Sequence, residues 1–115
     1  MNTEALIKLI INTLEDNKGN DIAELDVTAL TDSMDAMIVC TATSNRHAKS
    51  LAQKVIDASK QSGVRPFGVE GEDFGEWILI DLSDVVVHVM LKEQREFYNI
   101  EKLWSVTEEV REQKQ

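Results

Sequence analysis

A chain of 115 residues with 43% apolar and 29% charged residues has the composition of one globular domain with a single core. Its formal net charge of -9 argues against strong binding of nucleic-acid phosphate through overall charge. No apolar run approaches the ~20 residues of a membrane-spanning helix, and the N-terminus lacks the pattern of a signal peptide. The single cysteine, Cys40, cannot form an internal disulfide. We therefore expect a cytoplasmic protein with no membrane partner.

The first half of the chain predicts a helix, two strands and a second helix. Apolar residues recur at helical spacing from residue 3 to about residue 17, and Lys18-Gly19 is a stop signal. Residues 21–27 and 36–41 have the length and composition of strands. The second of these runs is apolar throughout, which is typical of a strand buried on both faces. Ser44 is the natural N-cap of the second helix, whose apolar stripe ends near Gly63.

The second half predicts a short strand, a hairpin and a third helix. Residues 64–69 cross the only proline, Pro66, and favour a short edge strand. Residues 92–104 have apolar residues at helical spacing, whereas residues 105–115 form a charged C-terminal tail without a strong apolar stripe. We interpret residues 1–104 as a single α/β (α+β) domain with helices packed on a mixed β-sheet. The strand at 36–41, its helix and the next strand have the order of a right-handed βαβ crossover.

The hairpin is the most informative segment. Two apolar runs, residues 77–82 and 85–90, flank Ser83-Asp84, and a two-residue turn fixes the register. One face is then purely aliphatic and belongs to the core. The other face is mixed, and its members are Trp77, Leu79, Asp81, Val86, His88 and Met90. Trp and Met are enriched at interfaces, so this face is either a contact surface or a face covered by a helix.

Acidic residues surround Trp77. Between residues 67 and 84 the chain has six acidic side chains and no basic one. An acidic rim around an aromatic residue suits a basic protein partner. The alternative is a solvated acidic loop that favours solubility.

No pattern predicts catalysis or metal binding. His47, His88 and Cys40 do not have the short spacing of a zinc site. The carboxylate pairs Asp32/Asp35 and Asp81/Asp84 are three residues apart, which on a strand places the two side chains on opposite faces. The turn before the second helix has no glycine, although backbone amides there could hold an anion together with Arg46. We predict no metal, no cofactor and no enzymatic activity.

Four motifs carry a resemblance to a known family. TSNRH follows the buried strand, GVEGE precedes the hairpin, WILIDLSDVVVHVM forms it, and REFYNIEKLW follows it. In this order the motifs resemble the ribosomal silencing factor family, also called iojap-related. Ala42 departs from the family pattern, which commonly has Gly at that position of the strand-to-helix turn.

The resemblance implies a fold and a function. It implies a nucleotidyltransferase-like topology that lacks the catalytic residues. It also implies binding to the large ribosomal subunit through large-subunit protein fourteen, a basic ribosomal protein at the subunit interface. A protein bound there would sterically block association with the small subunit and repress translation under nutrient limitation. The family further implies a homodimer when the protein is free.

Carried over by motif, the expected contact surface centres on the hairpin and the following helix. Its predicted partner-binding residues are Trp77, Leu79, Leu82, His88, Met90, Arg95 and Tyr98. The four residues that we call the acidic rim are Glu70, Glu72, Asp73 and Glu76. For Leu82 and Tyr98, plain core packing remains an equal alternative.

Two alternative functions remain open at this point. The first is a small nucleotide-binding or nucleotidyltransferase-like enzyme, which rests on fold resemblance alone. The second is direct RNA binding through the basic residues of the second helix, which the overall acidity disfavours. Those residues are Arg46, Lys49, Lys54 and Lys60.

Overall fold

The computed structural model describes residues 1–104, so the predicted tail at 105–115 lies outside the described residues. The helices and strands are α1 (Thr3–Asp16), β1 (Asn20–Asp26), β2 (Ala36–Ala42), α2 (Asn45–Gln61), β3 (Gly68–Glu70), β4 (Trp77–Asp81), β5 (Val85–Leu91) and α3 (Lys92–Tyr98). Helical conformation resumes at residue 100 and continues to residue 104.

The five strands form one mixed sheet in the order β1-β2-β5-β4-β3. The central pair β2/β5 is parallel, and the three other pairs are antiparallel. The predicted α/β (α+β) class with helices on a mixed sheet is therefore confirmed. After β2 and α2 the chain enters β3, which lies at the far edge of the sheet and not beside β2. β3 begins at Gly68 and not at residue 64, because Pro66 has no N–H to contribute to a strand ladder.

Two capped helices cover one face of the sheet. The Asn2 side chain accepts a hydrogen bond from the backbone N–H of Ala5 at 2.7 Å, and Ser44 Oγ accepts one from His47 N–H at 3.0 Å. These contacts satisfy amides in the first turns of α1 and α2, and the second confirms Ser44 as an N-cap. The buried sides of both helices pack on the aliphatic faces of β2 and of the hairpin. This is the main core.

The hairpin has the predicted register. Trp77 pairs with Met90, Leu79 with His88, and Asp81 with Val86. The turn closes where Leu82 N–H donates to the Val85 carbonyl at 2.9 Å. Ser83 adopts a left-handed conformation with φ of 73°, and its N–H donates to Asp81 Oδ1 at 2.8 Å. A local side-chain acceptor of this kind stabilises a turn that lacks glycine.

The opposite face of the sheet has a smaller cluster, whose buried members are Met37, Val39 and Met90. The helix predicted over residues 92–104 is wrong in one respect, because it breaks at Asn99. That residue is left-handed, with φ of 43° and ψ of 54°. The break lets Ile100 and Trp104 pack against this cluster, so the mixed face is covered near β2 and open toward β3. No helix in the described residues combines the length and apolar character needed to cross a membrane.

Candidate partner-binding surface

An aromatic patch lies where the open and covered parts of the mixed face meet. It consists of Trp77, Phe97 and Tyr98. The half-buried Trp77 ring lies 4.9 Å from the Tyr98 ring, and Tyr98 meets Phe97 edge-on at 5.0 Å. Phe97 is 81% exposed and Tyr98 is 54% exposed. Three adjacent aromatic rings with this much exposed area are typical of a recognition surface.

His88 lies behind the patch. Trp77 Nε1–H donates to His88 Nδ1 at 3.0 Å, so Nδ1 is the unprotonated ring nitrogen. His88 is only 8% exposed, and its burial lowers the pKa of the imidazole to about 4. The ring is therefore neutral at pH 7, with its proton on Nε2.

Two of the predicted contact residues belong to the core. Leu82 is 2% exposed because it lies on the aliphatic face of the hairpin, under α1 and α2. Met90 has no exposed area and belongs to the cluster against which Ile100, Trp104 and Trp77 pack. In this structure neither side chain offers a surface to a partner. The placement of Met90 on an open face is therefore corrected, and for Leu82 the core alternative holds.

Arg95, a predicted rim contact, is held by internal hydrogen bonds that leave little of its side chain exposed. Its Nε atom lies 2.7 Å from Glu101 Oε1, and the Arg95 side chain is 15% exposed. One terminal nitrogen also donates to the Asp21 carbonyl at 2.6 Å and to Thr41 Oγ1 at 2.8 Å. Arg95 therefore joins α3 to the 100–104 segment and to the ends of β1 and β2.

Leu79 lies on the open part of the mixed face, where it is half-buried beside the acidic rim. Strand pairing places Glu70 directly opposite Leu79. Their Cβ atoms are therefore expected about 5 Å apart. Val86, also half-buried, belongs to the same face. Leu79 extends the aromatic patch along β4 to the residues that pair with β3, whereas Val86 lies on β5 and pairs with Met37 of β2 on its other side.

The loop that carries the acidic rim is held close to Trp77. Gly71 has φ of 86°, and a Cβ atom at this position would collide with the Trp77 carbonyl oxygen. Asn45 Nδ2 donates to the Phe74 carbonyl at 2.6 Å, which anchors the loop at the start of α2. All four carboxylates of the acidic rim are exposed. Among them, Glu76 accepts a hydrogen bond from Gln94 Nε2 at 3.2 Å.

Phe97 is an exposed residue that sequence reasoning missed, whereas Val86 was placed on the mixed face but not among the predicted contact residues. The spacing of apolar residues predicts one helix over residues 92–104, with Phe97 and Ile100 among its apolar positions. Asn99 was the available signal, because Asn adopts the left-handed conformation more readily than most residues and often ends helices. With the helix ended there, Phe97 no longer shares a face with Ile100.

The cysteine and the second histidine, which lie outside this surface, are buried or hydrogen-bonded within the fold. Burial raises the pKa of the Cys40 thiol to about 11, so the thiolate is scarce at pH 7. His47 Nε2–H donates to the Asn17 carbonyl at 3.0 Å, and its Nδ1 accepts from the Thr43 N–H. Within residues 1–104, no three His, Cys, Asp or Glu side chains come together in a way that could hold a metal ion.

Comparison with known proteins identifies the family. The family model described as "Ribosomal silencing factor during starvation" matches residues 1–115. The chain belongs to the ribosomal silencing factor family. This membership supports a ribosome-associated role in translational silencing, and the family is not one of known enzymes.

Members of the ribosomal silencing factor family align with this chain over nearly its whole length. The ribosomal silencing factor of Chromobacterium violaceum is 50% identical over 104 residues, which cover 90% of this chain and 85% of that protein. The one from Haemophilus influenzae is 40% identical and is aligned over 88% of this chain and 99% of its own length. A crystal structure of a Chromobacterium violaceum protein, 50% identical, superposes with a TM-score of 0.90 and covers 91% of this chain and 88% of that one.

Proposed function

We propose that this ribosomal silencing factor binds the large ribosomal subunit in the cytoplasm and prevents the small subunit from joining. The proposed contact is large-subunit protein fourteen, a basic protein at the subunit interface. The observation that carries the proposal is the exposed aromatic patch beside the acidic rim. We also propose that the free protein forms a homodimer, as the family resemblance implies.

The aromatic patch supplies the apolar part of this interface. Trp77 is held by contacts on β5 and α3 but remains partly exposed, which is the situation of a hot-spot residue before its partner arrives. Phe97, Tyr98 and Leu79 extend the apolar area around it. A specific interface buries roughly 800 Å² on each partner, and a few anchors dominate its energy.

The acidic rim supplies the charge complementarity. Within the described residues, none of its four carboxylates forms an ion pair with a lysine or arginine. Their charges are therefore available to a basic partner. Charges at the edge of an interface speed association and select the partner more than they add affinity.

The proposed block is steric and requires no catalysis. The molecule measures 43 × 33 × 22 Å along its principal axes. Surfaces must approach within about 4 Å to make contact. A body that is 22 Å across in its thinnest direction would therefore keep the two subunits apart wherever it lies between them.

Substitution of the anchor tests the proposal. Trp77→Ala is expected to weaken binding to purified large subunits by about thirtyfold, because an interface hot spot contributes 2 kcal/mol or more. Phe67→Ala is the matched control, because Phe67 is 81% exposed but directly precedes β3, outside the patch. Equal affinity of wild type and Trp77→Ala, both folded, would refute the assignment of Trp77 as the anchor.

A further inference from the structure

The indole N–H of Trp77 is a polar group beside an apolar patch, and it donates a hydrogen bond to a single acceptor atom. Nδ1 of His88 accepts its hydrogen at 3.0 Å, and the two rings lie 5.9 Å apart at 44°. An indole nitrogen can only donate. The contact therefore exists only while Nδ1 of His88 is free to accept.

His88 itself has little surface to offer. It is 8% exposed and lies in the middle of β5, where Leu79 of β4 and Val39 of β2 are its neighbours on either side. A side chain in the centre of a sheet has a fixed position. By contrast, Tyr98, the other ring against Trp77, lies at the end of α3 and is half exposed.

We propose that His88 is a positioning residue whose Nδ1 atom fixes the rotation of the Trp77 indole and so prepares the aromatic patch for its partner. The inference rests on the proposed function, in which Trp77 is the anchor. It differs from the prediction that His88 touches the partner directly.

The physical reason is the cost of ordering a large side chain on binding. A half-exposed indole without a polar partner can rotate, and binding must then select one orientation. The hydrogen bond from Trp77 Nε1 to His88 Nδ1 already fixes one orientation of the indole in the free protein. Hydrogen bonding from the N–H also removes the penalty of covering an unsatisfied donor when the partner arrives.

A double-mutant cycle with purified large subunits separates positioning from direct contact. His88→Leu is expected to weaken binding about tenfold, whereas the same change in a Trp77→Phe background, which has no N–H, is expected to change binding by less than about twofold. His88→Asn is the conservative control. Its side-chain oxygen lies at about the position of Nδ1 and should restore binding to within about threefold of wild type.

A second measurement uses the free protein. The indole N–H resonance of Trp77, assigned by its disappearance in Trp77→Phe, should exchange slowly in wild type and His88→Asn but rapidly in His88→Leu. This measurement also detects a variant that has lost its fold, because the remaining resonances would then change as well.

The outcomes distinguish the two proposals. Additive effects in the cycle, or full binding by a folded His88→Leu protein, would overturn the positioning role while large-subunit binding by the wild type still supports the proposed function. Absence of wild-type binding to large subunits would overturn the proposed function and this inference with it. Fast exchange of the wild-type indole N–H would overturn the inference alone.

Discussion

His88 should make the stability of this protein depend on pH. Burial lowers the pKa of its imidazole from 6.5 to about 4. Below pH 6.5 the unfolded chain therefore binds a proton that the folded chain does not bind until about pH 4. Because the unfolded state binds more protons in this window, the free energy of unfolding falls as the pH falls. Above pH 7 both states are neutral at this residue, and it contributes no pH dependence.

The magnitude follows from the two pKa values. One pKa unit corresponds to about 1.4 kcal/mol, so the loss from this residue should be about 1.4 kcal/mol at pH 5.5 and about 3 kcal/mol at pH 4. Protonation would also remove the acceptor for the Trp77 N–H, so the same change loosens the aromatic patch.

Urea unfolding of wild type and His88→Asn, followed by circular dichroism between pH 4 and pH 8, measures this contribution. Carboxylates also titrate in this range, but they are common to both proteins and cancel in the difference. The wild type should lose about 3 kcal/mol relative to His88→Asn between pH 7 and pH 4. A difference between the two proteins that stays constant with pH would show that His88 titrates normally, and the account of its burial would be refuted.

Three further predictions concern stability and reactivity. Arg95→Ala should lower the free energy of unfolding in urea by about 2 kcal/mol, because it removes the hydrogen bonds that Arg95 donates to Glu101 and to two other acceptors. Arg65 is exposed, so Arg65→Ala should change the same free energy by less than about 0.5 kcal/mol. Met90→Ala should cost about 2–5 kcal/mol in the same assay because it opens a cavity under Trp104, and an equal loss for the half-buried Val86→Ala would contradict this. Cys40 should react with a thiol reagent in urea but not in the native protein at pH 7, and rapid native labelling would contradict its burial.

The hairpin shows what local sequence determines. Two apolar runs separated by two residues leave one register that puts all aliphatic side chains on one face, so the pairing of Trp77 with Met90 followed from spacing alone. The predicted cap at Ser44 and the cap at Asn2 also depend on local sequence alone. Each needs only a side chain that reaches an amide three residues ahead.

The candidate surface depends on contacts between distant residues, which the spacing of residues along the sequence does not reveal. Trp77 and Met90 share a face, yet Met90 is covered and Trp77 is half open, because the chain turns at Asn99 and crosses only part of the sheet. Arg95 donates hydrogen bonds to residues that are 74 and 54 positions away in sequence. A single sequence identifies Arg95 as a cation on a helix but does not reveal that its partners lie at the ends of two strands.

On the proposed function, this protein occupies the large subunit and keeps the small subunit away. The most direct test is co-sedimentation of the purified protein with isolated large subunits, isolated small subunits and joined ribosomes, together with a subunit-joining assay. The protein is expected to bind to large subunits alone and to suppress joining as its concentration rises. Absence of binding to large subunits, or binding that leaves joining unchanged, would contradict the proposed function.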